Sequence, residues 1–167
     1  DQQVAGHLII TTVDGFIDQL SPWFAEFCVL YPNIQLEVRF DNKRLRLDHG
    51  QAHIALRPGE QPGETDYIAQ PIMNLSRRLY ASKTYLKRAG TPISLDQLKH
   101  HKFIAGCTTN DYTYFDWIDK NVSNSNISYR TSTVQASLLA IKHGIGIGLI
   151  NTWEANNDPD LVALTGD

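Results

Sequence analysis

The sequence has few cysteines, no long hydrophobic run and no excess of positive charge, and each shortage excludes a class of protein. Its two cysteines, Cys28 and Cys107, are too few to staple a chain of 167 residues as a disulfide scaffold. No apolar stretch approaches the roughly 20 residues that cross a bilayer, and no signal-peptide pattern opens the sequence. We therefore expect a cytoplasmic protein without a membrane partner.

The charge balance argues against nucleic-acid binding by this segment. Lys and Arg number 15 against 18 Asp and Glu, which gives a formal net charge of -3. A protein that neutralises nucleic-acid phosphates needs a basic surplus, so we do not expect these residues to contact DNA themselves. The length and the 42% hydrophobic content suit one domain or two small ones with a real core.

Short apolar runs alternate with helical spacings along the chain, which is typical of an α/β protein. Leu8, Ile9 and Ile10 predict a buried strand, and apolar residues from 16 to 31 predict an amphipathic helix. Pro22 inside that pattern predicts either a kink or an early turn followed by a helix that Ser21 caps and Pro22 begins. Further strands are predicted at 34–40, 52–56, 102–105, 126–130, 146–150 and 161–164. Further helices are predicted at 43–48, 82–89, 95–100, 114–120 and 133–143. Ser94 is expected to open a capping box, and Asn151 to cap a short helix.

An all-extended stretch separates two β-α-β series. Residues 66–81 show no helical spacing, unlike the segments before and after them. Because right-handed crossovers join parallel strands, each series predicts a parallel-dominated lobe. We predict lobe I at 1–75, lobe II at 76–160, and the start of a return crossing between the lobes at 161–167.

Polar residues follow several predicted strands, where open α/β sheets bind ligands and helix N-termini favour anions. One such edge is 11–16, and two more are 106–109 and 132–135. Asp14 either caps the following helix or contacts the ligand. Arg57 either binds a carboxylate bidentately or pairs with a loop carboxylate, Glu60 or Asp66. The candidate ligand-binding residues are Thr12, Asp14, Gly15, Phe16, Arg57, Cys107, Thr109, Thr133, Val134 and Gln135.

Motifs for catalysis, metals and cofactors are missing. The glycines of 144–148 lack the third glycine of a dinucleotide fingerprint and follow a helix instead of a strand, so they predict a helix stop and a tight turn into a strand. The pairs His49/His53 and His100/His101 have no Cys or Asp at ligand spacing beside them. No Gly-x-Ser-x-Gly elbow or triad is present. We expect no metal, no cofactor and no enzymatic activity.

The order and spacing of these pieces resemble the effector-binding domain of LysR-type transcriptional regulators, over nearly the whole chain. Single pieces are weakly specific, whereas their combination is specific. The pieces that carry the resemblance are 6–10 with Leu20-Ser21-Pro22, 31–36, 50–59, 79–82, 85–86, 90–92, 95–98 and the glycines of 144–148.

The resemblance implies two Rossmann-like lobes joined by crossing strands, in the arrangement of the type 2 periplasmic binding proteins. It also implies a small effector in the cleft between the lobes, and a homodimer or homotetramer. The helix N-termini that follow the strand edges favour an anionic effector. A helix-turn-helix domain, which these residues do not contain, would contact DNA, and residues 1–4 would be the remnant of its linker. The alternative of a transport solute-binding protein is disfavoured by the missing signal peptide, and an enzyme by the missing catalytic constellation.

Two departures from the family's pattern stand out. His53 occupies the place where the family usually has an acidic residue before its Ile-Ala strand. The family's domain also continues with a strand and a helix that return to the first lobe, whereas this sequence ends at Asp167. We therefore expect lobe I to lack its last strand and helix.

Overall fold

The chain divides into two units, Asp1–Leu75 (unit 1) and Ser76–Asp167 (unit 2), in the computed structural model. The structure describes residues 4–41, 47–59, 63, 67–107 and 113–164. The helix predicted at 43–48 lies largely outside the described residues, and its last positions form a turn that ends at Gly50.

Unit 1 contains a parallel sheet of three strands. The central strand β1 (Gly6–Thr12) pairs with β2 (Ile34–Phe40) on one side and with the short β3 (Ile54–Ala55) on the other. Both pairings are parallel, and Leu8 lies opposite Leu36. Parallel pairing brings the carboxyl ends of all three strands to one edge of the sheet, which is where an open α/β sheet binds ligands.

The helix of unit 1 covers the predicted helical spacing and has Pro22 inside it. A 3-10 turn leads into α1 (Ile17–Leu30), which contains Pro22 in its interior, so of the two predicted alternatives the helix that Ser21 caps and Pro22 begins does not form. The Ser21 hydroxyl instead donates to the Ile17 carbonyl oxygen at 2.6 Å. Leu20 is 5% exposed, and burying its side chain favours an earlier start, although Pro22 removes one helical hydrogen bond.

Unit 2 combines antiparallel and parallel strand pairs. Strand β4 (Arg77–Ser82) lies between β7 (Gly148–Asn151) and β8 (Leu161–Ala163) and is antiparallel to both. Strands β5 (Phe103–Gly106) and β6 (Ile127–Thr131) are parallel. The lobe is therefore less parallel than predicted, because β4 follows an extended segment and no β-α-β crossover fixes its direction relative to the strands beside it.

The described residues of unit 2 contain five short α-helices, and side chains cap three of them. The Ser82 hydroxyl accepts the Tyr85 N–H at 3.2 Å at the first helix, and Asn151 and Glu154 form a reciprocal capping box, which confirms the predicted Asn151 cap. The box predicted at Ser94 does not form, because the Gln97 side chain accepts the Ile93 N–H instead. The helices are α2 (Lys83–Ala89), α3 (Leu95–Leu98), α4 (Asp116–Asn121), α5 (Val134–Lys142) and α6 (Thr152–Ala155).

The glycines after α5 allow a turn and a close approach of the backbone to its neighbours. Gly144 has a φ of +75°, a left-handed conformation that glycine adopts without strain. A Cβ on Gly146 would lie 2.6 Å from the Lys102 carbonyl oxygen, and one on Gly148 would lie 2.4 Å from the Ile141 side chain. These glycines therefore end α5 and let β7 pass close to its neighbours, as the sequence predicted.

Candidate functional site

In unit 1, one arginine spans the carboxyl ends of the three parallel strands. Arg57 follows β3, and its Nη2 donates to the Thr11 Oγ1 atom of β1 at 2.7 Å. Its Nη1 donates to the carbonyl oxygen of Asp41, the residue after β2. The Leu56 N–H also donates to the Thr11 carbonyl oxygen at 2.9 Å, which continues the pairing of β1 and β3 toward Arg57. The guanidinium of Arg57 is thus a positive charge in a fixed position at this edge of the sheet.

Thr12 supplies a buried hydroxyl at the same edge. Its side chain is fully buried, and its Oγ1 atom has no hydrogen-bond partner among the described residues. A buried hydroxyl without a partner costs about 1–3 kcal/mol. A ligand oxygen or a water molecule at this position would remove that penalty. We call Thr11, Thr12 and Arg57 the unit 1 half-site.

The residues after Thr12 form the turn into α1. Asp14, Gly15 and Phe16 make up the 3-10 segment, in which the Phe16 N–H donates to the Val13 carbonyl oxygen at 3.1 Å. The residues at the N-cap positions of this segment and of α1 are Val13 and Phe16, so Asp14 occupies neither cap position. Gly15 is buried, and Asp14 and Phe16 are half-buried.

In unit 2, the carboxyl ends of β5 and β6 form a second polar edge, whose hydroxyls bond the backbone. The Cys107 N–H donates to the Thr131 carbonyl oxygen at 3.0 Å. The Thr131 Oγ1 accepts the Thr133 N–H at 3.3 Å, and the Thr133 Oγ1 accepts the Ala136 N–H at 3.2 Å, which caps α5. We call Cys107, Thr131 and Thr133 the unit 2 half-site.

The other predicted residues of unit 2 differ in exposure. The Val134 side chain is 0% exposed and belongs to the core, whereas Gln135 is exposed. Thr109 lies outside the described residues. The structure thus brings Thr12 and Arg57 to one edge in unit 1, and Cys107 and Thr133 to one edge in unit 2. That the two half-sites share one cleft stays a prediction.

Two residues that the sequence reasoning did not select hold these edges. Thr11 accepts from Arg57 across 46 positions of sequence, and only its place beside Thr12 could have suggested a role. In unit 2, Arg130 Nη1 donates to the Gly106 carbonyl oxygen at 2.6 Å and to Asp119 at 3.0 Å, and Nη2 donates to Asn124 at 2.9 Å. Its position in the strand before the Thr131 edge was the available signal.

Within the described part of the chain, no group of three or more His, Cys, Asp or Glu side chains could hold a metal ion. The helices described there are also too short or too polar to cross a membrane.

Known proteins are similar to this chain in fold and in sequence. The regulatory domain of CrgA, a LysR-type transcriptional regulator from Neisseria meningitidis, superimposes with a TM-score of 0.81 at 23% identity, covering 96% of this chain and 81% of that domain. An HTH-type transcriptional regulator of Xanthomonas campestris pv. campestris is 35% identical over 89 residues, which are 53% of this chain and 26% of the relative. The HTH-type transcriptional regulator YhjC of Escherichia coli is 32% identical over 60% of this chain and 34% of its own length.

These two relatives match the chain over only a quarter to a third of their own lengths. The LysR substrate binding domain, as a family, matches residues 1–166, which is nearly the entire sequence. The two-unit α/β fold with its parallel edges is the periplasmic-binding-protein-like fold of LysR regulatory domains. The chain therefore belongs to the LysR substrate-binding domain family.

Proposed function

We propose that this chain is the effector-sensing domain of a LysR-type transcriptional regulator and that its effector is a small anion held at the unit 1 half-site. The observation that carries the proposal is the buried Thr12 hydroxyl, which has no hydrogen-bond partner among the described residues, at the strand edge that Arg57 spans. A guanidinium fixed by hydrogen bonds is well suited to a carboxylate or phosphate. A neutral hydroxyl beside it can form a directional hydrogen bond to the ligand without adding charge.

In unit 2, the candidate ligand-binding groups are backbone N–H groups and Cys107, whose side chain is half-buried. The hydroxyls of Thr131 and Thr133 already accept backbone hydrogen bonds, so they are weaker candidates for direct ligand contact. The effector biases the regulator only by the difference between its affinities for two arrangements of the protein.

DNA recognition and assembly belong to the whole protein. The matched relatives are HTH-type transcriptional regulators, not transport proteins, which favours the regulator over a solute-binding protein. We propose that a helix-turn-helix domain outside this sequence contacts DNA in the cytoplasm. Exposed apolar side chains on α1, with Trp23 48%, Val29 80% and Leu30 62% exposed, suit a homodimer or homotetramer interface.

The test is a thermal-shift screen of the chain with small mono- and dicarboxylic acids, each paired with its neutral amide. We expect an acid from this panel to raise the unfolding temperature while its amide does not, because a ligand that binds only the folded state stabilises it. Affinity of that acid for the variants Arg57→Gln and Thr12→Val is then measured by calorimetry.

We expect Arg57→Gln to weaken binding of the selected acid at least tenfold, as the loss of a charge-assisted hydrogen bond of about 1.5–3 kcal/mol implies. Arg78→Gln is the matched control, since it removes the same charge from an exposed position on β4. Equal losses in both variants, or unchanged affinity in Arg57→Gln, would reject the unit 1 half-site. Equal responses to acids and amides would reject the anionic effector.

A further inference from the structure

An exposed histidine takes part in the pairing of the two strands that carry the unit 1 half-site. The Ile9 N–H of β1 donates to the Nδ1 atom of His53 at 2.9 Å, and the His53 N–H donates back to the Ile9 carbonyl oxygen at 2.9 Å. His53 directly precedes β3, whose only strand residues are Ile54 and Ala55. The side chain of His53 therefore adds a hydrogen bond to a very short ladder.

The donor identity fixes the protonation state of the ring. A backbone N–H can only donate, so Nδ1 must be the acceptor and the proton of the neutral ring must be on Nε2. A protonated imidazole carries hydrogens on both nitrogens and has no acceptor. Two donors would then face each other between Ile9 and His53, and the hydrogen bond would be lost. Because the His53 ring is exposed, it can turn into solvent when this happens.

We infer that His53 is a positioning residue that couples the pairing of β1 and β3, and through it Thr11 and Arg57, to pH. Neutral His53 holds the start of β3 against β1. Arg57 lies two residues after β3 and donates a hydrogen bond to Thr11. Histidine is the side chain whose charge ordinarily changes between pH 5 and 8. The His53 bond is thus present while the ring is neutral and lost when the ring is protonated. The consequence for the effector rests on the proposed function, whereas the coupling itself does not.

Several other charged groups lie on the neighbouring elements. The Glu37 carboxylate lies 2.6 Å from Arg39 Nε and 3.0 Å from His7 Nε2, and chiefly the Arg39 hydrogen bond holds the pKa of Glu37 below its ordinary value. Glu37 therefore stays ionised between pH 5 and pH 8. The titratable and charged side chains on these elements are His7 on β1, Glu37 and Arg39 on β2, Asp48 and His49 in the preceding turn, and Arg57 after β3.

The experiment follows the backbone amides of Ile9 and Leu56 by NMR between pH 5 and 8, with no ligand present. In the unaltered chain we expect the Ile9 amide shift to titrate within this range. Its exchange, corrected for the intrinsic pH dependence, should rise about tenfold at the acid end, the factor that one hydrogen bond of ordinary net strength supplies. Exchange of the Leu56 amide, which bonds Thr11, should rise with it.

His53→Asn is the decisive variant, because its side-chain oxygen can take the acceptor position without titrating. We expect the acid-dependent component to disappear in His53→Asn while protection at pH 8 is kept. In His53→Ala, protection should be low at every pH. His49→Asn makes the same change in the preceding turn, where the ring lies 3.8 Å from the Asp48 carboxylate, and should leave the profile of the unaltered chain.

Persistence of the full pH response in His53→Asn would overturn the inference and assign the response to His7 or another group. An Ile9 response without a Leu56 response would also overturn it, because His53 would then act on Ile9 alone and position nothing. Neither result depends on an effector, so failure here and failure of the carboxylate screen are distinguishable.

Discussion

The two half-sites use the same residue types in different ways. At the unit 1 edge, the Thr12 hydroxyl is buried without a hydrogen-bond partner among the described residues, and Arg57 supplies a fixed cation. At the unit 2 edge, the hydroxyls of Thr131 and Thr133 accept backbone N–H groups and shape the start of α5. Threonine after a strand therefore does not by itself indicate ligand contact. What distinguishes the two edges is whether the local backbone already satisfies the hydroxyl.

The largest effect should come from crowding the backbone that supports unit 2. In Gly146→Ala, the new Cβ meets the Lys102 carbonyl oxygen at 2.6 Å, and we expect the free energy of unfolding to fall by about 1–3 kcal/mol. Gly63→Ala is the matched control in unit 1, where a Cβ would meet nothing within 4 Å. Urea unfolding followed by circular dichroism measures both. Equal changes would contradict the close approach.

A pH effect should come next, from His101 in unit 2. This histidine is 6% exposed, and its Nδ1 lies 3.1 Å from the Tyr85 hydroxyl. Burial, and then the nearby charge of His100, lower the pKa of His101. The unfolded chain therefore binds this proton more readily, so the His101 contribution to stability is complete above about pH 6.5 and declines below it, by at most about 1.4 kcal/mol per pH unit.

The measurement compares urea unfolding at pH 7.5 and pH 5 in the unaltered chain and in His101→Gln. We expect the difference between the two pH values to shrink in His101→Gln. His143→Gln, also in unit 2, is the control and should keep it. If His101→Gln retains the whole pH difference, other groups are responsible.

A smaller loss is expected when the cap of α5 is removed. Thr133→Val keeps the shape of the side chain but deletes the oxygen that accepts the Ala136 N–H, so the free energy of unfolding should fall by about 1 kcal/mol. Thr133→Ser keeps the oxygen and should restore most of that loss. Unchanged stability in Thr133→Val would show that the hydroxyl is not needed as a cap, and would make it a better candidate for ligand contact.

The smallest effect on stability should come from the same substitution in unit 1. Thr12→Val removes a buried hydroxyl that has no partner among the described residues. Because a water molecule at this position removes most of the burial penalty when no ligand is present, we expect stability within about 0.5 kcal/mol of the unaltered chain, or above it. Thermal unfolding without ligand measures this. A loss as large as that of Thr133→Val would mean that Thr12 is already satisfied within the protein, and the contrast between the half-sites would fail.

Local patterns predicted most of the elements, and long-range contacts account for what was missed. The alternation of apolar residues over 34–40 predicted β2 with its correct bounds. Thr133 and Gly144 marked the two ends of α5, because a cap and a left-handed glycine act within one turn of the helix. Pro22 left two starts of α1 open, and the structure has the earlier one, since burial of Leu20 outweighs the local preference for proline at a helix start.

The site was less predictable than the fold, because its key contacts join distant segments. Arg57 was selected as a cation for a carboxylate, yet its bonds to Thr11 and to the Asp41 carbonyl depend on the register of three strands. The capping role of Thr133 follows from its place at the end of a loop, but nothing local distinguishes it from Thr12. Only the folded sheet shows which hydroxyl the backbone satisfies.

The placement of Arg57 and Asp41 just beyond the paired residues has a consequence for how such a sensor diversifies. The paired residues end at Phe40 in β2 and at Ala55 in β3, so Asp41 and Arg57 follow the ladder instead of forming part of it. Substitutions there can change charge and shape without altering the register of the sheet. One scaffold can thereby acquire new ligand preferences through changes at a few strand-end positions, while its core remains constant.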